Sequence, residues 1–408
     1  MPIETMKVLV INSGSSSIKY KVFDVSDSTT LASGKLEKIG ESDSRLKYRW
    51  LNLEGKQEEI QKKRHMPDHK EGFAWIIAVI LESGILRDEK ELFAIGHRVV
   101  HGGEVFHDPT LIDKELVETL RALIPLAPLH NPANLVAIEI ALERFPHVHQ
   151  VAVFDTAFHQ SLPPYAYHYA LPYEFYTDYQ VRRYGFHGTS HYYVAKQAAR
   201  YFKKPLESLN MITLHLGNGA SATAIKAGKS LDTSMGMTPL EGLVMGTRCG
   251  DLDPAIIFYL NRATGKSDEE LEEILNEQSG LKGICGVNDM REVESLADQG
   301  STRAQLAVNM FCYRIKKYIG SYCAILGRVD AIVFTGGIGE NAKSIRKQSC
   351  KGLSSLGIII DDKKNNQLLD NIFEIQGDHS KMKILVIPTN EELEIALQTV
   401  ETIRSTLL

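Results

Sequence analysis

At 408 residues the chain is long enough for two or three domains with cores of their own. A hydrophobic fraction of 43%, a charged fraction of 24% and a net charge of −5 describe an ordinary globular protein and argue against general nucleic-acid binding, which favours basic patches. No apolar run is long enough to span a bilayer, no signal-peptide pattern precedes the first strand, and the five cysteines are scattered without a C-x-x-C; these features disfavour a membrane anchor, secretion, a disulfide framework or a zinc site, and point to a cytoplasmic protein.

Met6–Ile11 reads as a strand, breaks at Asn12-Ser13-Gly14-Ser15-Ser16-Ser17 and resumes as a second strand over Ile18–Phe23. Leu31–Lys38 is a third strand, and Lys47–Ile60 is polar and irregular. His69–Leu81 has helical spacing. Phe93–Val100 is a strand entering His101-Gly102-Gly103. Asp113–Ile124 and Ala133–Arg144 read as helices, and Val151–Phe154 as a buried strand. The Pro- and Tyr-rich stretch Leu162–Tyr179 lacks a clean period and reads equally as connector or interface. Ser190–Phe202 is a helix with Ser190 as its N-cap. Met211–Leu216 then opens a second hairpin, breaking at Gly217-Asn218-Gly219-Ala220-Ser221 and continuing over Ala222–Lys226. Asp268–Asn276 and Arg303–Leu326 are helices. Ala331–Thr335 is a strand ending in a glycine turn, Gly336-Gly337-Ile338-Gly339. Ile384–Ile387 is the last strand and Glu391–Arg404 the last helix. Strands and helices alternate throughout, so the class is α/β. The repeated hairpin suggests a duplicated domain with phosphate held between the halves.

Tight turns of Gly, Asn and Ser offer backbone N–H groups and hydroxyls to an anion, although such turns are also common on surfaces. None is a Walker A loop, and no G-x-S-x-G nucleophile elbow occurs. Arg98 and Arg248 each stand beside glycines, where a guanidinium reads either as a planar fork for phosphate or carboxylate or as a surface ion pair. His130 and His187 are functional candidates against a structural alternative. Asp155 ends a buried strand and suits a Mg²⁺ or base role, or a cap. Glu391 and Glu392 suit a helix N-terminus or a Mg²⁺ ligand. Together the parts fit phosphoryl transfer, which needs donors around the phosphates and a cation more than covalent help.

The blocks VLVINSGSSSIKY, GHRVVHGGE, PLAPLHNP, VAVFDTAFHQ, YGFHGTSH, HLGNGASATA, DTSMGMTPLEGLVMGTRCGDLDP, FTGGIGEN and IPTNEE resemble the acetate kinase family, with propionate kinase as a close relative, over nearly the whole chain. The resemblance implies the actin/Hsp70/sugar-kinase fold, two RNase H-like domains around a nucleotide cleft. Residues 1–157 with 389–408 would form the first domain, and 158–388 a second that binds nucleotide and dimerises. It implies reversible ATP-dependent formation of acetyl phosphate from acetate by direct in-line transfer. Propionate is the alternative substrate, and an ATPase switch on the same fold is the alternative class.

By the same resemblance Asn12 and Glu391 would hold Mg²⁺, with Mn²⁺ as an alternative ion, and Ser15, Ser17 and Lys19 would lie near the transferring group. Arg98 and Arg248 would bind the carboxylate and the γ-phosphoryl group. His187 would stabilise the transition state with His130 beside it, and Asp155 would orient the substrate. Val100, Leu129, Phe186 and Pro239 would form the acyl pocket. His215, Asn218, Gly219, Asp289, Arg291, Gly337 and Asn341 would contact ATP or ADP. A homodimer acting on a small carboxylate, without nucleic acid or membrane, is the implied assembly. The chain departs from the family pattern at Ser13, where a small Ala or Cys is common, and in a shorter adenine-side loop, Gly286–Arg291.

Overall fold

The computed structural model describes residues 6–52, 54–367 and 371–407. The first stretch of chain carries β1 (Lys7–Gly14), β2 (Ser17–Asp24), β3 (Thr29–Glu37), β4 (Arg45–Leu51), β5 (Gln57–Lys63), α1 (His69–Glu82), β6 (Leu92–Val99), β7 (Thr110–Leu111), α2 (Lys114–Ala122), α3 (Asn131–Arg144) and β8 (His149–Phe154). Next come α4 (Pro164–Tyr167), α5 (Glu174–Tyr179), α6 (Gly188–Phe202), β9 (Asn210–Leu216), β10 (Ala220–Lys226), β11 (Lys229–Thr233), α7 (Ala255–Thr264), α8 (Asp268–Glu277), α9 (Gly280–Cys285), α10 (Met290–Asp298) and α11 (Thr302–Leu326). The chain finishes with β12 (Ala331–Thr335), α12 (Gly336–Asn341), α13 (Lys343–Cys350), α14 (Asp362–Asn365), β13 (Phe373–Glu374), β14 (Lys383–Val386) and α15 (Glu391–Leu407). These elements fold as two compact units. One runs to Ala157 and takes back the segment from Asn390, and the other is Phe158–Thr389.

The first unit is built on a sheet ordered β5-β4-β3-β2-β1-β6-β8-β7. Strand β1 is antiparallel to β2 and parallel to β6, which is parallel to β8. Val8, Leu9, Val10 and Ile11 are all buried, as a central strand covered on both faces requires. On one face Leu9, Ile11 and Tyr20 pack with Phe73 and Ile77 of α1 and Ala137 of α3. On the other, Val8, Val10 and Phe23 pack with Ile395, Ala396 and Val400 of α15. Helix α15 lies so close to β6 that a Cβ on Gly96 would fall 2.5 Å from Thr399 Oγ1 and 2.8 Å from Ile395.

The second unit is built on a sheet ordered β11-β10-β9-β12-β14-β13. Its antiparallel run β11-β10-β9 followed by the parallel pair β12 and β14 repeats the run β3-β2-β1 followed by β6 and β8. The duplicated RNase H-like architecture implied by the resemblance is therefore present in the strand order of each unit.

Several local expectations need correction. Lys47–Ile60 is not irregular but contributes most of the β4–β5 hairpin at the sheet edge; Leu53, in its connection, lies outside the described residues. Leu46 and Tyr48 are buried while Arg45, Lys47 and Arg49 face solvent, and β5 is exposed along almost its whole length. Charges that guard an edge strand also hide its period. The two hairpin turns are tighter than their glycine and serine runs suggest, Ser15-Ser16 in the first and 217–219 in the second. Gly336–Gly339 is not a turn but the start of α12. Gly336 has φ +75°, and its Cβ would sit 2.8 Å from the Leu216 carbonyl oxygen, a close approach that favours glycine. Helix α6 is capped by His187, not Ser190. Helix α3 starts at Asn131, with Pro132 in its first turn. Leu162–Tyr179 carries the two short helices α4 and α5.

Candidate active site

In the first unit the C-terminal ends of β6 and β8 and the start of α15 bring Arg98, Asp155 and Glu391 together. Asp155 is 1% exposed and Arg98 22%. The guanidinium donates from Nη2 to Asp155 Oδ2 at 2.7 Å, and from Nε to both carboxylate oxygens at 3.1 and 3.2 Å. Burial opposes the charge on Arg98, but the Asp155 carboxylate outweighs it, and Glu391 and Glu392 add to the effect, so the arginine pKa is raised. Glu391 shows the opposite balance. Burial, reinforced by Asp155 and Glu392 and only partly offset by Arg98 and Lys19, pushes its carboxyl up to about 7. Lys19 pairs across the hairpin with Asn12. Asn12 and Ser17 are half-buried, and Ser15 lies exposed in the turn.

The backbone after β6 is pinned by groups that sequence reasoning missed. Val100 N–H donates to Asn134 Oδ1, His101 N–H to Asn131 Oδ1 and Gly102 N–H to Thr156 Oγ1. Asn131 returns a bond to the His101 carbonyl, and Asn134 Nδ2 donates to the Ser13 carbonyl beside the first hairpin turn. Two asparagines three apart at a helix start, both buried, were the available signal. His130, just before them, is half-buried, and Leu129 is exposed.

In the second unit the α6 cap places His187 at φ +55°, a left-handed conformation uncommon outside glycine. It is held from both sides. His159 Nε2 bonds the Phe186 carbonyl at 3.0 Å, and His191 N–H donates to the His187 carbonyl at 3.0 Å. The His187 ring stacks on His215 with centroids 4.3 Å apart, and its Nδ1 lies 2.9 Å from Ser221 Oγ. His187 and Arg248 converge over Gly219, where a Cβ would lie 3.4 Å from His187 Nε2 and 3.7 Å from Arg248 Nη1. Arg248 is anchored by donating to the Pro239 carbonyl at 3.0 Å. Phe186 is buried and Pro239 half-buried in this unit, whereas Val100 and Leu129 belong to the first.

A cavity of about 780 Å³ in the second unit is lined by Gly217, Asn218, Asn288, Asp289, Arg291, Gly337 and Asn341, among others. It gathers five of the seven residues expected to contact nucleotide. His215 and Gly219 are not on its wall; His215 Nδ1 instead pairs with Ser190 Oγ at 2.8 Å. Asn288, absent from the expected set, donates to Asn218 Oδ1 at 3.2 Å. Asp289 caps α10 and takes two bonds from the Arg291 side chain, which holds its carboxyl down to about 2.

The donors near Glu391 suit a hard divalent cation. Burial and neighbouring acids oppose ionisation of Glu391, and a nearby cation would relieve that cost. No cluster of three or more His, Cys, Asp or Glu side chains among the described residues is placed to hold a metal.

The sequence profile of the Acetokinase family matches residues 7–397. An acetate kinase of Syntrophobacter fumaroxidans is 59% identical over 400 residues, covering 98% of this chain and 97% of the relative. The crystal structure of Porphyromonas gingivalis acetate kinase superposes with a TM-score of 0.92 at 43% identity, covering 98% of this chain and 100% of that one. A propionate kinase from Francisella tularensis gives a TM-score of 0.91 at 44% identity, covering 97% and 99%. The match runs from the first strand into the last helix and takes in both RNase H-like units with their arginines, histidines and glycine turns: the chain belongs to the Acetokinase family.

Proposed function

We infer that this chain is an ATP:acetate phosphotransferase, moving the γ-phosphoryl group of ATP reversibly onto a carboxylate oxygen of acetate. The observation that carries the reading is the guanidinium of Arg98, fixed on buried Asp155 beside Glu391. A fork held this way presents its remaining N–H groups to a carboxylate in one orientation. Asp155 spends its oxygens on Arg98, so its role is to aim the arginine. Acetate is already ionised and needs no base.

In the proposed step an acetate oxygen attacks the γ-phosphorus in line. The bond to the β,γ-bridging oxygen breaks, and its electron pair leaves with ADP. Arg248 and His187 donate to the equatorial oxygens as their charge grows. Ser15, Ser17 and Lys19 steady the transferring group, with His130 nearby. Asn218, Asp289, Arg291, Gly337 and Asn341 hold the nucleotide, His215 backs the His187 ring, and Gly219 leaves room beneath it. Glu391 and Asn12 would hold Mg²⁺ or Mn²⁺, which neutralises phosphate charge when bound. Val100 and Leu129 of the first unit and Phe186 and Pro239 of the second are assigned to the acyl group by the family resemblance.

A homodimer through the second unit is supported by its exposed aromatic side chains, among them Tyr173, Tyr179, Phe258, Tyr259 and Tyr313, each more than 60% exposed. A cytoplasmic location is supported by the scattered free cysteines. No described helix is long and apolar enough to cross a membrane. Propionate is the second reading, favoured by the likeness to the Francisella propionate kinase; one methylene separates the acids by only about 1–3 kcal/mol. Trapping acyl phosphate with hydroxylamine in parallel reactions of ATP, Mg²⁺ and either acid decides. A higher kcat/KM for acetate is expected. A higher value for propionate reverses the assignment, and ATP loss without hydroxamate from either acid rejects it.

A further inference from the structure

His191 and Thr213 have no part in the mechanism above, yet both are fully buried directly behind His187. His191 lies one turn along α6 from His187. Its Nδ1 is 2.7 Å from Thr213 Oγ1 on β9, and its Nε2 is 2.7 Å from Ser221 Oγ on β10. The same Ser221 oxygen is 2.9 Å from His187 Nδ1. A continuous chain of four side chains therefore runs Thr213–His191–Ser221–His187. We propose that Thr213, His191 and Ser221 are positioning residues that fix the neutral His187 imidazole as its Nε2–H tautomer, so that its outer nitrogen is always a donor; the functional half of this inference rests on the kinase reading.

The direction of the chain follows from its buried end. Burial, with His159 and His215 adding to it, drives the His191 pKa well down, so that ring is neutral, with one donor and one acceptor nitrogen. Two arrangements then satisfy the distances. In one, Thr213 O–H donates to His191 Nδ1, His191 Nε2–H donates to Ser221 Oγ, and Ser221 O–H donates to His187 Nδ1. In the other every bond is reversed. Thr213 would then accept from His191 while its own hydrogen pointed into the core. Its hydroxyl has no second partner among the described residues, and an unpaired buried donor is unfavourable. The first arrangement pairs every hydroxyl and leaves the hydrogen of His187 on Nε2. That nitrogen is the one that shares the space over Gly219 with Arg248, where a donor is useful and a lone pair would repel a phosphoryl oxygen. The stack on His215 and the left-handed backbone fix the plane of the ring; the chain fixes its hydrogen.

The test is ¹⁵N NMR of the full-length protein labelled in histidine, with the His187 resonances assigned by their loss in His187→Gln. In the wild type, His187 is expected to show a protonated Nε2 and an unprotonated Nδ1. Ser221→Ala removes the link while adding no bulk. It is expected to bring the two nitrogen shifts toward each other and to lower kcat by about tenfold to a hundredfold, with KM for ATP and acetate unchanged within about threefold, since a tautomer change alters transition-state donation more than binding. Ser221→Thr keeps the hydroxyl and should restore both. Thr213→Val, which removes the terminal donor, should move the shifts in the same direction by less. A wild-type tautomer pattern in Ser221→Ala overturns the proposal, as does a shifted pattern with unchanged kcat. The spectrum is read without turnover, so failure of the kinase reaction itself would appear separately, in the acyl phosphate assay of the wild type.

Discussion

Replacing Arg98 by Ala tests the Arg98–Asp155 pair on stability and on activity at once. The substitution removes three hydrogen bonds of 2.7–3.2 Å from a carboxylate that is 1% exposed. Breaking one side of a buried pair strands the other charge, at about 3–5 kcal/mol. Asp155→Asn removes the charge instead. Arg98, at 22% exposure and with Glu391 and Glu392 nearby, loses less, about 1–3 kcal/mol. The double variant should be more stable than Arg98→Ala by about 2 kcal/mol, because its buried group is neutral. Urea unfolding followed by tryptophan fluorescence suits the measurement, since Trp50 and Trp75, the chain's two tryptophans, both belong to the first unit. Under conditions where the variant is folded, kcat/KM for acetate should still fall about a hundredfold to a thousandfold. A variant as stable as wild type, or a double variant no better than Arg98→Ala, would show that no buried charge is stranded.

Other consequences follow from single sites. Burial, partly offset by the bond to Gln150, pushes His97 down to about 4. Unfolding lets it protonate below 6.5, so the first unit should lose about 3 kcal/mol between pH 6.5 and 4; denaturation of His97→Gln across that range should show a shallower loss. Ser13 is buried with a hydroxyl that has no partner among the described residues, and Ser13→Ala should raise stability by about 1 kcal/mol, read as a higher urea midpoint. Gly96→Ala would press a methyl into α15 and should cost about 1–3 kcal/mol, seen as a lower Tm. Arg291 is 90% exposed, so Arg291→Ala should leave stability within about 0.5 kcal/mol and raise KM for ATP with kcat preserved, in steady-state assays with acetate saturating.

Strands with continuous burial, such as β1, β9 and β12, were legible in the sequence, as were β2 and β3, which are only partly buried. Charged edges escaped it, because β4 and β5 are built from lysine, arginine and glutamate on their exposed faces. Helix starts shifted where a cap was unusual: His187 caps α6 without a side-chain bond, while the polar Ser190 that looked like the cap serves His215. The candidate site was legible where one residue type announces its chemistry, as arginine beside glycine does. The supporting groups were not. His191, Thr213 and Ser221 meet through three-dimensional contacts between a helix and strands that no spacing records, and their polar character alone gives no reason to place them in a core.

Transfer of the γ-phosphoryl group to a carboxylate is visible in ³¹P NMR of the wild-type protein with ATP, Mg²⁺ and acetate. An acetyl phosphate resonance is expected to grow in step with ADP, one for one, and adding ADP to the products is expected to regenerate ATP. Inorganic phosphate rising with ADP while no acyl phosphate forms would contradict it.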